Sequence, residues 1–128
     1  MKNEQELIRQ KKAIEHFAKT FGVTYKKLDV DYKIFDKNGQ LIAYAEVVGR
    51  VRTMRDAFPL PITAKKIVKL IDKRLVPVVI WSCEDGIIYG KANNLEGEIK
   101  WGSDSPLDSQ ELIVYYDKQK EFKYVRFT

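Results

Sequence analysis

Apolar residues recur at helical spacing near the start of the chain. Leu7, Ile14, Phe17, Ala18 and Phe21 predict an amphipathic helix over 4–20, with Gly22 as its left-handed stop. From 23 to 36 the period falls to two: Leu28, Val30, Tyr32 and Ile34 alternate with polar neighbours, which predicts a strand. Lys37-Asn38-Gly39-Gln40 then predicts a two-residue hairpin turn, because Asn and Gly both tolerate positive φ, and 41–48 reads as the returning strand. The stretch 49–61 is rich in Arg, broken by Pro59 and Pro61, and reads as irregular. Thr63 is placed to cap a second helix, with Ile62 and Ile67 as a hydrophobic staple. Ala64, Ile67, Val68, Ile71 and Leu75 would form its apolar face, and Lys65, Lys66, Lys69 and Lys73 its polar side. The run 76–83 is apolar almost throughout, as in a strand buried on both faces. Asp85-Gly86 marks a turn, 87–92 a strand, 93–110 a loop, and 111–116 with 121–127 a terminal hairpin. The order predicts an α/β (α+β) fold. A mixed sheet is flanked by two helices and carries an extra C-terminal hairpin, in one domain over 1–128 with a core of about 4–92.

A two-residue turn at Asn38-Gly39 places Asp31 opposite Glu46 and Asp29 opposite Val48. Leu28, Val30, Tyr32 and Ile34 then face Gly49, Val47, Ala45 and Ala43, a clean apolar set that should be the core side. The acids share the other face, with the Cβ atoms of Asp31 and Glu46 roughly 5 Å apart. Like charges in that relation destabilise unless something compensates, and a divalent cation does so when held by one or two carboxylates and phosphate oxygens. The competing reading is an ordinary solvated surface on which Lys33 neutralises part of the charge.

Composition narrows the chemistry. One Cys (Cys83) and one His (His16) among 128 residues leave no zinc-ligand set, so any metal would be held by oxygen. Cys83 reads as a small core residue and His16 as a partly exposed, noncatalytic one. The formal charge is +5, yet between Val48 and Arg74 eight basic residues meet two acidic ones, a local +6 that leaves about −1 elsewhere. Arg50, Arg52 and Arg55, with Lys65, Lys69 and Lys73, are the candidate phosphate contacts, and Phe58 and Trp81 the candidate stacking surfaces for unpaired bases. A solvated basic loop and helix face is the alternative. No stretch approaches 18 apolar residues and the first ten are charged, so neither a membrane span nor a secretion signal is expected.

The helix, the Asp-bearing strand, the Asn-Gly turn and the strand ending Ala45-Glu46-Val47-Val48-Gly49-Arg50, followed by a helix and an apolar strand, resemble the PD-(D/E)XK nuclease superfamily over about 4–92. Phage-type members resemble it further, through Arg50, Phe58-Pro59, Ile62 and Lys65/Lys66, then Trp81, Glu84, Asp85, Gly86, Ile87 and Tyr89. The resemblance implies a restriction-endonuclease-like fold. Asp31 would be the metal-binding Asp, Glu46 the acid of the Glu-x-Lys motif and Glu15 an additional acid, with Asp29 as the alternative to Asp31. The motif Lys is here Val48, which can neither orient a water nor offset charge. Either Lys33 or Lys65/Lys66 replaces it, or the domain binds without cutting. The space between Gly22 and Asp31 also looks too short for a separate first strand and turn.

The expected function is that of an intracellular, cytoplasmic protein of phage or mobile-element type acting on DNA or RNA. Asp31, Glu46, Lys33 and Lys66 would be catalytic, and Asp31, Glu46 and Glu15 would hold Mg²⁺ or Mn²⁺. The alternatives are a catalytically degenerate module that binds nucleic acid or protein, and a structural protein with no nucleic-acid role. Tyr115, Phe122, Tyr124 and Phe127 make the terminal hairpin apolar enough to mediate a homodimer.

Overall fold

The computed structural model describes residues 4–28, 31–102 and 110–127. The first apolar period folds as expected. Helix α1 (Glu4–Phe21) buries Ala13, Ile14, Phe17 and Ala18. It stops at Gly22, whose φ of 64° lets the Val23 N–H return to the Ala18 carbonyl at 3.0 Å.

The segment 23–36 is two strands rather than one. β1 (Thr24–Lys27) and β2 (Tyr32–Phe35) pair antiparallel, with Tyr25 opposite Ile34 and Lys27 opposite Tyr32. The Leu28 N–H donates to the Asp31 carbonyl at 2.8 Å across the reversal. That reversal carries no Gly or Pro and is flanked by apolar residues, so the alternation runs on without a break. There is room for the first strand after all, because it needs only four residues.

At Asn38-Gly39 the connection is a three-residue loop, 37–39, with Gly39 at φ 81°. The Asp36 carboxylate holds it, accepting the N–H groups of Asn38 and Gln40, both at 2.9 Å. The longer loop displaces the register by one, pairing Phe35 with Leu41. A bulge at Ile42 in β3 (Leu41–Gly49) displaces it back, so Ile34 meets Ala43 and Tyr32 meets Ala45. The register expected from a two-residue turn thus holds over 32–34 because two one-residue deviations cancel.

β3 lies parallel to β5 (Val76–Ser82), the apolar run, which then pairs antiparallel with β6 (Gly86–Lys91). Between them come a 3-10 turn (Met54–Asp56), β4 (Leu60–Thr63) and helix α2 (Ala64–Asp72), where an irregular stretch had been expected before the helix. The expected 93–110 loop contains β7 (Glu98–Gly102); positions 103–109 lie outside the described residues. β8 (Glu111–Tyr116) and β9 (Lys123–Arg126) do not form the expected terminal hairpin. β8 enters a second sheet of order β4-β8-β7, while β9 completes the edge of the main sheet, β1-β2-β3-β5-β6-β9. β8 pairs with β4 and β7, and β9 with β6, so the ribbon on which a homodimer was expected is absent.

Two clusters sandwich the main sheet. Helix α1 covers Tyr32, Ile34, Ala45, Val47, Ile80 and Ile87. The opposite face carries Val79, Trp81 and Ile88 beneath α2 and the second sheet. Trp81, fully buried, donates its indole N–H to the Pro61 carbonyl at 2.8 Å. Phe58 packs on Phe122, ring centroids 5.5 Å apart. Trp81 is committed to the core, which removes it as a stacking surface for bases, whereas Phe58 stays half-buried at the edge of the same cluster.

Helix α2 is rolled relative to its expected pose. Leu70 is its buried residue, with Ala64 and Ile67 packed beside it, whereas Val68 is 66% exposed and Ile71 and Leu75 are also exposed. The nine-residue helix meets the sheets along the 64–67–70 line, and this roll turns Lys66, Lys69 and Lys73 toward β3. Thr63 occupies the cap position in an extended conformation, but its hydroxyl makes no capping bond.

Candidate functional site

β3 is an interior strand covered on both faces, and that decides the environment of its acid. Glu46 is only 3% exposed and Asp31 8%. The competing reading of a solvated acidic surface therefore fails: α2 lies over that face. The parity of the strand separates Glu46 from Ala45 and Val47, but burial of the second face depends on an element 18 residues later, and no alternation reports that. One position beyond the Tyr32–Ala45 pair, Asp31 and Glu46 reach the same pocket of about 790 Å³. Lys27, Lys66, Lys69 and Lys73 line it too. The Lys66 ammonium stands 3.5 Å from Glu46 Oε1, its side chain 41% exposed.

The other expected residues divide. Lys33 lies on β2 opposite Tyr44, half-buried and outside this pocket. Lys65 points to solvent, whereas Lys69 and Lys73 line the pocket, and the Lys73 ammonium lies 5.2 Å from the Tyr44 ring centre. Glu15 is exposed on α1, on the other side of the sheet, 3.5 Å from the Tyr25 hydroxyl that donates to it. It does not join Asp31 and Glu46. Asp29 lies outside the described residues. Arg50 braces its own loop: Nε donates to the Ala57 carbonyl at 2.9 Å and Nη2 to that of Pro59 at 3.4 Å. Burial, then Arg52, lowers its pKa. Arg52 and Arg55 remain exposed beyond the end of β3.

The Asp85-Gly86 turn ties that loop down. The Asp85 carboxylate accepts the Met54 N–H at 2.8 Å, and the Glu84 N–H donates to the Arg52 carbonyl at 2.9 Å. A Cβ on Gly86 would collide with the Val125 carbonyl and the Met54 side chain, so glycine is required where β9 passes. Cys83 is buried, and desolvation pushes its thiol up to about 12. His16 packs on Phe127 with ring centroids 4.8 Å apart.

A second crevice, of about 370 Å³, opens at the carboxyl end of β3 between α1 and the start of α2. Glu6, Arg9 and Gln10 reach it from α1 and Lys66 from α2. Gln10 is buried and donates from Nε2 to the Val47 carbonyl at 3.3 Å. Sequence reasoning missed these three. The signal was there: Gln10 continues the Ala13–Ile14–Phe17 stripe at i−3, i−4 and i−7, a polar residue on a buried arc.

No protein-family model, curated protein or solved structure matches the chain. What the site can do therefore rests on its own donors. Among the described residues no group of three or more His, Cys, Asp or Glu side chains converges to hold a metal. Two carboxylates do share the larger pocket, and an all-oxygen pair with room for water and phosphate suits Mg²⁺ or Mn²⁺. Lys66 supplies the neutralising charge that Glu46 needs in the protein alone. No helix among the described residues is long and apolar enough to cross a membrane.

Proposed function

We propose that this chain is a metal-dependent nuclease-like protein of PD-(D/E)XK type, with a restriction-endonuclease-like core, acting on nucleic-acid phosphodiester backbone. The observation that carries the reading is the Lys66–Glu46 contact in a pocket shared with Asp31. Val48 leaves the Glu-x-Lys motif without its cation, and α2 brings a cation to the same acid from another element. Asp31 and Glu46 would hold Mg²⁺ or Mn²⁺. Such an ion makes water more acidic and offsets phosphate charge when bound. Lys66 would orient the attacking water and offset charge developing on the phosphate. Lys27, Lys69 and Lys73 would grip neighbouring phosphates, with Arg52 and Arg55 further along the backbone. A cytoplasmic location and a phage or mobile-element origin accompany this reading.

The test is Mg²⁺- or Mn²⁺-dependent cleavage of DNA and RNA substrates. Asp31→Asn and Glu46→Gln are each expected to cost about 10²-fold or more in rate. Cleavage that survives both changes contradicts the assigned site.

A second reading is a binding module that does not cut, and Val48 favours it. It predicts nucleic-acid affinity without metal uptake in calorimetry and without cleavage; gain of cleavage on Val48→Lys would instead mark a degenerate nuclease whose metal site is intact.

A further inference from the structure

The Glu46–Lys66 pair stands between two pockets of different character, and Lys66 lines both. The larger pocket is ringed by lysines and suits a run of phosphates. The smaller crevice has one apolar wall of Val48, Val51, Pro61 and Ile113, while Glu6, Arg9 and Gln10 of α1 form its polar side. Its volume of about 370 Å³ falls at the small end of ligand pockets, which span roughly 300–1,000 Å³. A phosphate has no use for an apolar wall, and a base stacked within a duplex cannot enter a crevice closed by α1. An unstacked base can: its faces meet the valine and proline surfaces, its polar edge meets Gln10, and its phosphate meets Arg9 or Lys66.

From this we infer that the crevice takes one unpaired nucleotide beside the scissile phosphate, so the substrate is a single strand, flap or frayed end rather than continuous duplex. This rests on the phosphodiester reading above and names the substrate class of the same site. Phosphate contacts favour the more densely charged duplex, so a preference for single strand must come from the crevice. Gly49 offers a way to fill it. It lines the crevice, and a Cβ there would meet no atom within 4 Å, so a branched side chain at 49 can start without a clash.

The experiment is a fluorescence-anisotropy titration of the full chain in Ca²⁺ at one fixed salt concentration. The probes are labelled oligothymidine, a blunt duplex, and that duplex bearing a single-stranded flap. The single strand and the flap are expected to bind about tenfold or more tighter than the blunt duplex. Gly49→Val and, independently, Arg9→Ala should each narrow that ratio, Gly49→Val to within about twofold. Circular dichroism confirms which variants are folded, and a folded variant of either kind suffices. Equal or tighter binding of blunt duplex, or a ratio unchanged in the folded variants, overturns the inference and leaves the phosphodiester reading standing. If no oligonucleotide binds, both fall.

Discussion

Lys66 Nζ lies 3.5 Å from Glu46 Oε1, and that contact has one consequence for stability and another for chemistry. Lys66 reaches solvent but Glu46 is buried, so Lys66→Ala takes the neutralising charge from a buried carboxylate and should cost about 1–3 kcal/mol in denaturant unfolding. The same change should lower cleavage by about 10²-fold while leaving Mn²⁺ affinity equal or higher, since a competitor for Glu46 is gone. Loss of metal affinity in that variant would contradict the assigned role. Cys83 makes a prediction in pH. Its thiol pKa is raised from 9.0 to about 12 by burial, so the neutral form favours the folded state. That stability is fully present below pH 9 and is lost as pH rises toward 12, at up to about 1.4 kcal/mol per pH unit. Cys83→Ala should flatten the fall in urea-derived stability over the start of that window. Lys66 was one of two lysines, with Lys33, that the sequence offered as catalytic. Choosing it required the roll of α2, which depends on what lies beneath the helix.

Helix α2 shows why its apolar spacing was misleading. Eight of its nine residues divide between an apolar and a basic set, and either of two adjacent arcs could be buried by periodicity alone. The second sheet decides, selecting Leu70. Leu70→Ala should therefore cost about 2–5 kcal/mol, whereas Val68→Ser on the exposed arc should stay within about 0.5 kcal/mol. Thermal and urea unfolding of the two variants checks the order, and a larger loss at Val68 would contradict the roll. On β2 and β3 the pairing of Tyr32 with Ala45 was legible, but through compensating deviations at the 37–39 loop and the Ile42 bulge. The β1–β2 reversal was not legible, because Leu28 beside it continues the strand pattern.

At the scale of the molecule, the element order was readable as far as β6 apart from the β1–β2 split and strand β4, and what followed was not. β8 and β9 adjoin in sequence and separate into two sheets, a choice made by distant partners. Local alternation carries no information about which distant edge a strand joins. The charge distribution was legible, because the lysines of α2 do gather over the acids. If Lys27, Lys69 and Lys73 each meet a phosphate, replacing any one by Ala should reduce the slope of log affinity against log salt by about 0.7–0.9. An unchanged slope in all three would remove the larger pocket from the backbone track. The central claim is that Asp31 and Glu46 together hold a divalent ion, and a Mn²⁺ titration followed by electron paramagnetic resonance tests it most directly. The folded wild-type protein should take up one Mn²⁺, and Asp31→Asn and Glu46→Gln should each weaken it by about tenfold or more. A wild-type protein that binds no Mn²⁺, or an isotherm unaltered in both variants, would contradict it.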